Sequence, residues 1–483
     1  MSSVATNTQV SNAGFFLRFS VKLFLVSLLI PLFVPIGGVL LMPHRAVLLV
    51  LTLPLMALLF MGRAGKVGLI DWLMLFCPFW ACMSLIANRV AGSPIEPAGI
   101  IFLEFYGAFL LGRVAIRTSE DFRSFVRMFF LLILFLVPFA AMEAITHRPI
   151  LLQIVPSSIS IDPSPPRWGM RRAQTLFAHP ILYGVFVSMG LGVFWYVLKS
   201  GFWRLFSVPL VALGTLFSLS TGALMSVFFQ VIFLGWELIT RPSRNRWRVF
   251  AGLSAFAYVT LDMLSNRNPF HLVVDYATFN SGSAYNRILI WRFGTQNVRD
   301  NPIFGLGLRD WVRPHYMSGS ADNFWLLMTM QYGLPFFVAF ALAMFFIVRR
   351  TSRQPLSDPL DRASRAGYLV TLGGVVMAGA TVHYWTAMMA FVMFFFGSGM
   401  WIICGGARSR VEDTVADPSP VERKPRYSRR PVHATPGRRQ AGVLSKAREE
   451  SGDGQNSRSA EAAPQRYARS NSSTRLRGSS AAE

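Results

Sequence analysis

The chain reads as an all-α polytopic integral membrane protein of about twelve transmembrane helices, on three observations. Hydrophobic residues make up 53% of the 483 residues and charged ones only 15%, against roughly a quarter charged in soluble domains. The apolar residues gather in twelve windows of about the length a helix needs to cross a hydrocarbon core. Basic residues then mark every second connection, the pattern of a chain that alternates between two sides.

In chain order, residues 1–20 are polar, lack a cleavage site and run straight into the first window. They read as a cytoplasmic N-terminus and not as a removed signal. The windows lie at 21–42, 46–62, 68–87, 95–112, 125–145, 176–197, 204–219, 221–239, 247–264, 322–347, 366–385 and 387–404. The basic connections hold Arg63 and Lys66, then Arg113, Arg117 and Arg123, then Lys199 and Arg204. Arg241, Arg244, Arg246 and Arg248 come next, and Arg349, Arg350, Arg353, Arg362 and Arg365 close the series. Lys and Arg accumulate on the cytoplasmic side, so these connections and both termini are assigned there.

Residues 21–404 form the membrane core and 405–483 a basic cytoplasmic tail. From Arg408 onward the tail has sixteen basic and nine acidic residues among Ser, Pro and Ala, the composition of a disordered segment. Its RKPRYSRR cluster at 423–430 suits anionic lipid at the inner leaflet better than nucleic acid.

Cys77, Cys82 and Cys404 fall inside windows and make neither a CxxC pair nor a metal spacing, so no disulfide, metal site or cofactor is expected. No internal repeat suggests the inverted halves of a transporter. Of the acids inside windows, Asp71, Glu104 and Glu143, Glu104 is expected to pair with nearby polar groups and Asp71 to sit near the cytoplasmic end.

Two external loops break the charge pattern. Residues 146–175 hold Arg148, Arg167, Arg171 and Arg172 against Asp162 alone. Residues 265–321 hold Arg267, Arg287, Arg292, Arg299, Arg309 and Arg313 against Asp275, Asp300 and Asp310. Positive charge outside opposes the topology signal, and an anionic phosphate would compensate it, since a guanidinium fork grips two phosphate oxygens. Helical spacing runs over 285–299 and stops before Asn301-Pro302. This predicts an amphipathic helix on the outer surface, its Ile, Leu and Trp residues in the membrane interface. Arg287 and Arg292 stand about 140° apart on it.

In order, the chain carries Arg171-Arg172-Ala-Gln-Thr-Leu-Phe177-Ala-His179-Pro180, Asn286-Arg287-Ile-Leu-Ile-Trp291, Asn301-Pro302-Ile-Phe-Gly305-Leu-Gly307, and Asp322-Asn323-Phe-Trp-Leu326 with Gly333-Leu334 beyond. This ordered set resembles the O-antigen polymerase and O-antigen ligase superfamily of bacterial polytopic glycosyltransferases. The resemblance covers most of 20–404. It implies transfer of a glycan from a polyprenyl pyrophosphate donor to a sugar hydroxyl at the periplasmic face of the bacterial inner membrane. Neither a metal nor a soluble nucleotide sugar takes part. It also implies partners: membrane lipids, a flippase and a chain-length regulator, and no nucleic acid. Ligases of the superfamily carry His where this chain has Asp322, and often Ser-Arg-Gly where it reads Ser220-Thr221-Gly222. Both departures favour a polymerase, with a ligase or a polysaccharide-lipid flippase as alternatives.

On that resemblance the catalytic candidates are Arg172, Arg287 and Asp322, the last as general base on the acceptor hydroxyl. Arg171, Arg292, His179, Arg309, His315 and Asn323 are the expected substrate-binding residues, with His315 a second candidate base. Each has a plainer role to set beside this one. The arginines can anchor loops to lipid headgroups, Asp322 can cap the helix that follows it, and His179 can be structural at a span start.

Overall fold

The computed structural model describes residues 16–36, 39–89, 93–241, 243, 245–264 and 281–404. The expected tail, the first fifteen residues and 265–280 with Arg267 lie outside the described residues. The protein is an α-helical, multi-pass membrane protein.

Helix α1 spans residues 16–27, and Val34–Ile36 pairs antiparallel with Val39–Leu41. Then come α2 (Pro43–Phe60), α3 (Leu69–Ala87), α4 (Ile95–Ala115), α5 (Ser119–Thr146) and the single turn and a half of α6 (Ile150–Ile154). Next are α7 (Pro180–Val197), α8 (Gly201–Phe217), α9 (Thr221–Ile239), α10 (Arg246–Leu264) and α11 (Ser281–Asp300). Helices α12 (Phe324–Arg353), α13 (Pro359–Ala378) and α14 (Ala387–Ser398) complete the core. Among the described residues seven of these, α2, α3, α4, α5, α7, α9 and α12, are long and apolar enough to cross a membrane. The first apolar window is not a continuous helix. Pro31 and Pro35 remove two backbone donors from any helix running through it, and α1 ends before them.

Every residue of α14 is buried, so this helix is the axis of the bundle. It meets α4 backbone to backbone. A Cβ on Gly397 would stand 2.0 Å from the Phe109 carbonyl oxygen, and one on Gly112 would stand 2.2 Å from that of Phe394. Small residues permit such approaches where lipid gives helices no hydrophobic reason to associate. Around this seam Phe129, Phe186 and Phe391 pack with ring centroids 4.7–5.0 Å apart.

Helix α4 contains a π-helical stretch, Phe102–Gly107. Within it Glu104 accepts from Arg45 Nε at 2.7 Å and meets His44 Nε2 at 3.2 Å, all three buried. Asp71 at the start of α3 takes Arg113 Nε from the end of α4 at 3.0 Å, and Arg113 also donates to the Ala64 and Lys66 carbonyls. Both acids therefore have structural partners.

Helix ends sort into two groups. At one end the segment ahead of α7 meets the ends of α5 and α8 (Arg171 N to Ala144 O, Ala173 N to Phe217 O), and the start of α12 meets the end of α13 (Phe324 N to Gly379 O). At this end also His179 before α7 lies against Trp385 before α14, and Asn88 after α3 donates to Phe304 O. The Asp71–Arg113 pair marks the other end. All six described non-glycine residues with positive φ, namely Arg89, His147, Trp168, Thr175, Leu219 and Thr386, belong to the first end. Backbone held this way costs on the order of 1–3 kcal/mol each and clusters at functional sites.

Candidate active site

Residues 167–177 are stitched into place by their own backbone. Arg167 and Met170 exchange two 2.9 Å hydrogen bonds across Trp168-Gly169, and the Arg171 and Ala173 amides donate at 3.0 and 2.9 Å to the ends of α5 and α8. Glu143 of α5 accepts the Thr175 amide at 2.9 Å. Consecutive Arg171 and Arg172 then take different partners beyond Asp162. Arg171 turns to the Asp162 carbonyl at 3.1 Å and to Glu143 at 3.6 Å. Buried Arg172 turns the other way, its Nε near the Ser218 carbonyl at 3.4 Å and its guanidinium 3.8 Å from Asp162.

The second motif loop completes a broken helix. Gly333 takes φ 81° inside α12, and Pro335 follows it. Pro335 has no amide for the Gln331 carbonyl, and that carbonyl accepts instead from Gly307 N at 2.8 Å. The Met330 carbonyl accepts from Leu306 N at 2.7 Å, while Leu334 N donates to Pro302 O at 2.7 Å. These groups freed by the kink are thus recovered from residues 302–307, and the Tyr332 carbonyl accepts from Trp80 Nε1 of α3 at 3.1 Å. A Cβ on Gly305 would lie 2.5 Å from the Met330 carbonyl oxygen and one on Gly333 2.0 Å from that of Ile303. The separated motifs Gly305-Leu-Gly307 and Gly333-Leu334 are two halves of one joint.

That joint sets α11 against α12. Leu289 and Ile290 are buried with Leu306, Trp311, Leu326 and Met330, so the apolar face of this helix packs on protein, where the sequence reading placed it in the lipid interface. Trp291 is exposed. Arg287 turns inward, and Arg292 lies over the Phe293 ring at 5.8 Å.

Between these loops lies a cavity of about 650 Å³ lined by Arg167, Arg172, Arg287 and Arg309, by Asp310 and Asp322, and by His179 and His383. Ser220, Thr221, Trp311, Gln331 and Trp385 complete its polar and aromatic wall. Asp310 is bonded to Arg313 at 2.6 Å, whereas Asp322 feels the charges of Arg287 and Arg172. Asp322 does not cap α12; Asn323 does, its Oδ1 accepting from Leu326 N at 3.0 Å. Among the described residues no three His, Cys, Asp or Glu side chains converge on a point.

Burial dominates the electrostatics. It pushes the Arg172 guanidinium down to about 10, with Arg167 adding repulsion and Asp162 and Asp322 opposing. Arg287 is lowered by burial and steadied by Asp322. The Asp322 carboxyl is raised by burial, against the pull of Arg287 and Arg172. His179 and His383 are both driven down to about 4, chiefly by desolvation, and are neutral imidazoles near pH 7. His179 Nδ1 accepts from Ile181 N at 3.1 Å, so its proton sits on Nε2.

The structure thus brings together Arg172, Arg287, Asp322, His179 and Arg309. It leaves Arg171 and Asn323 behind the wall as supports, and Arg292 and His315 outside it. His315 lies against Tyr316. Arg167, Trp311, His383 and Trp385 were not singled out from the sequence. Arg167 had counted only as one loop charge among several, and the other signal was hidden by a span boundary. The window at 366–385 reads as helix to its end, whereas α13 stops at Ala378 and residues 382–385 lie outside any helix.

Comparison with known protein families and with curated proteins finds no match for this chain.

Proposed function

We propose that this protein polymerises lipid-linked oligosaccharide repeat units of a bacterial surface polysaccharide. It would take glycan from a polyprenyl pyrophosphate and pass it to a sugar hydroxyl. In this reading the chain crosses the inner membrane about twelve times with both termini cytoplasmic, and the arginine cavity opens to the periplasm. Support for the orientation comes from the basic residues Lys66, Arg113, Arg117, Lys199 and Arg350 at the opposite helix ends.

The observation that carries the reading is the convergence of Arg172 and Arg287, from loops far apart in sequence, on Asp322 in one cavity. Buried arginines around an acid supply both halves of the transfer. As the bond between the anomeric carbon and the phosphate oxygen breaks, charge grows on the pyrophosphate. Fixed guanidiniums in a desolvated site stabilise that charge most in the transition state. The acceptor hydroxyl forms the new bond to the anomeric carbon and gives its proton to Asp322. A carboxyl raised by burial is the better base for this, being closer to the operating pH than an exposed aspartate. His179, with its proton on Nε2, donates to a phosphate oxygen.

Deleting the gene and analysing surface glycan and lipid-linked intermediates tests the proposal. Loss of long chains with single repeat units left on the carrier lipid is the expected result. Finished polymer accumulating on the carrier would indicate a ligase instead. Repeat units held on the cytoplasmic leaflet would indicate a flippase.

A further inference from the structure

Along residues 382–385, which lie outside any helix, burial alternates, Val382 and Tyr384 being buried and His383 and Trp385 half-buried. Val382 and Tyr384 are each only 1% exposed and anchor the segment in the core, the Tyr384 hydroxyl donating to the Val375 carbonyl at 2.6 Å. His383 and Trp385 are thereby sent into the cavity. Phe324 N fixes the start of the turn by donating to the Gly379 and Val382 carbonyls at 2.8 and 3.0 Å. Thr386 closes it at φ 50°, a conformation that a β-branched residue adopts only under constraint.

The three rings His179, Trp385 and His383 form a continuous wall. Trp385 and His383 stack at 5.6 Å and 20°, His179 leans on Trp385 at 5.7 Å, and His383 stacks on Phe324, two residues beyond Asp322. His383 Nδ1 is enclosed without a hydrogen-bond partner, so Nε2 is this ring's route to a ligand. The wall therefore offers aromatic surface with one polar atom beside it. A pyranose is built to match, with a C–H face that packs on aromatic rings and a rim of hydroxyls. A prenyl chain has no use for the imidazole, and a phosphate has none for the indole.

We propose that His383 and Trp385 form a glycan subsite, the rings stacking on a pyranose of the acceptor and His383 Nε2 accepting a hydrogen bond from one of its hydroxyls. This rests on the polymerase reading for the word acceptor, and it sets the sugar next to Asp322, where a proton must leave.

The test uses the full-length protein in detergent and, as probe, the free repeat-unit oligosaccharide released by mild acid from the native lipid-linked repeat. Saturation-transfer NMR should show contact with ring C–H protons. Trp385→Ala should weaken binding at least tenfold and Trp385→Phe less than threefold. Trp385→Met, which keeps apolar volume without a ring, covers the case in which the Ala variant fails to fold and should also weaken binding at least tenfold. His383→Gln should weaken it severalfold, and Arg292→Lys, outside the cavity, should leave the probe bound as before. Equal binding by wild type and Trp385→Met, or no binding by wild type at millimolar probe, overturns the subsite. Polymerisation of lipid-linked repeats by wild type, measured alongside, separates the two ideas. Binding that depends on Trp385 without polymerisation keeps the subsite and removes the polymerase reading, and the reverse result does the opposite.

Discussion

Asn323 caps α12 through the Leu326 amide at 3.0 Å, and its neighbour Asp322 is thereby turned to the cavity and its arginines. The two residues should respond differently to change. Asn323→Ala should cost about 0.5–2 kcal/mol of stability, the usual loss of a cap. Asp322→Asn should remove transfer while leaving the thermal midpoint at pH 7 unchanged or higher. The sign follows from burial raising this carboxyl. A raised acid destabilises the folded state once pH exceeds its unfolded value of about 3.9, and fully so above the folded value. Asn never bears that charge. A clear fall in midpoint for Asp322→Asn would return Asp322 to a structural role.

Arg172→Lys and Arg287→Lys should each slow polymer formation while membrane protein level stays near normal. Lys keeps the charge and loses the planar fork. Loss of one charge-assisted contact is worth about 1.5–3 kcal/mol, or roughly ten- to hundredfold in rate. Arg292→Lys and Arg313→Lys, outside the cavity, should stay within about threefold by the same arithmetic. Rate assays with lipid-linked repeats decide this, and near-normal rates for both cavity variants would show that charge alone suffices.

Gly305→Ala and Gly333→Ala should destabilise through the joint between the 301–307 turn and α12. Each needs positive φ, and each Cβ would meet a backbone carbonyl at 2.5 Å or less. Conformational penalty and overpacking together amount to roughly 2–5 kcal/mol. Thermal unfolding in detergent measures it, and a midpoint equal to wild type would show that the turn relaxes away from α12 without cost.

Acid should loosen the cavity end. His179 and His383 are held near 4, below the free imidazole value of about 6.5. Folding therefore favours their neutral forms. The stability this contributes is present above about pH 6.5 and is lost as pH falls toward 4. Asp322, whose carboxyl is raised, relaxes in the opposite sense over part of that range, so the comparison with variants matters. Between pH 7 and 4.5 the thermal midpoint of His179→Gln with His383→Gln should fall less than that of wild type. Parallel curves would mean that neither imidazole resists protonation.

Reporter fusions after Pro163 and Ser318 should read periplasmic, and fusions after Gln354 and in the tail cytoplasmic. The alternation of basic connections motivates this. A cytoplasmic signal at Ser318 would place the cavity on the wrong side for a periplasmic donor.

Seven of the twelve apolar windows correspond to helices long and apolar enough to cross a membrane among the described residues, because apolar length alone marks a span. The arginine clustering in 146–175 and 265–321 was legible too, since it interrupts the alternation of basic connections. The arrangement within the loops was not. Of consecutive Arg171 and Arg172, held by backbone bonds to Ala144 and Phe217, only Arg172 lines the cavity, while Arg171 turns to Glu143. The apolar face of 285–299 carries no mark telling a lipid partner from Leu326 and Met330. His383 and Trp385 ride on the end of a window whose hydropathy hides where the helix stops. The Gly305 and Gly333 motifs were visible, and only the kink showed why they travel together.

The π-helical stretch in α4 sets the phase of that helix. A π turn takes in one residue more than an α turn does, and everything beyond it is rotated accordingly. With the same residues wound as regular α-helix throughout, the last turns of α4 would swing by about 100°. Arg113 would then face away from Asp71 and from the Ala64 and Lys66 carbonyls it now ties together. The irregular turn that holds Glu104 beside His44 and Arg45 is thus also what aims the clasp at the far end of the same helix.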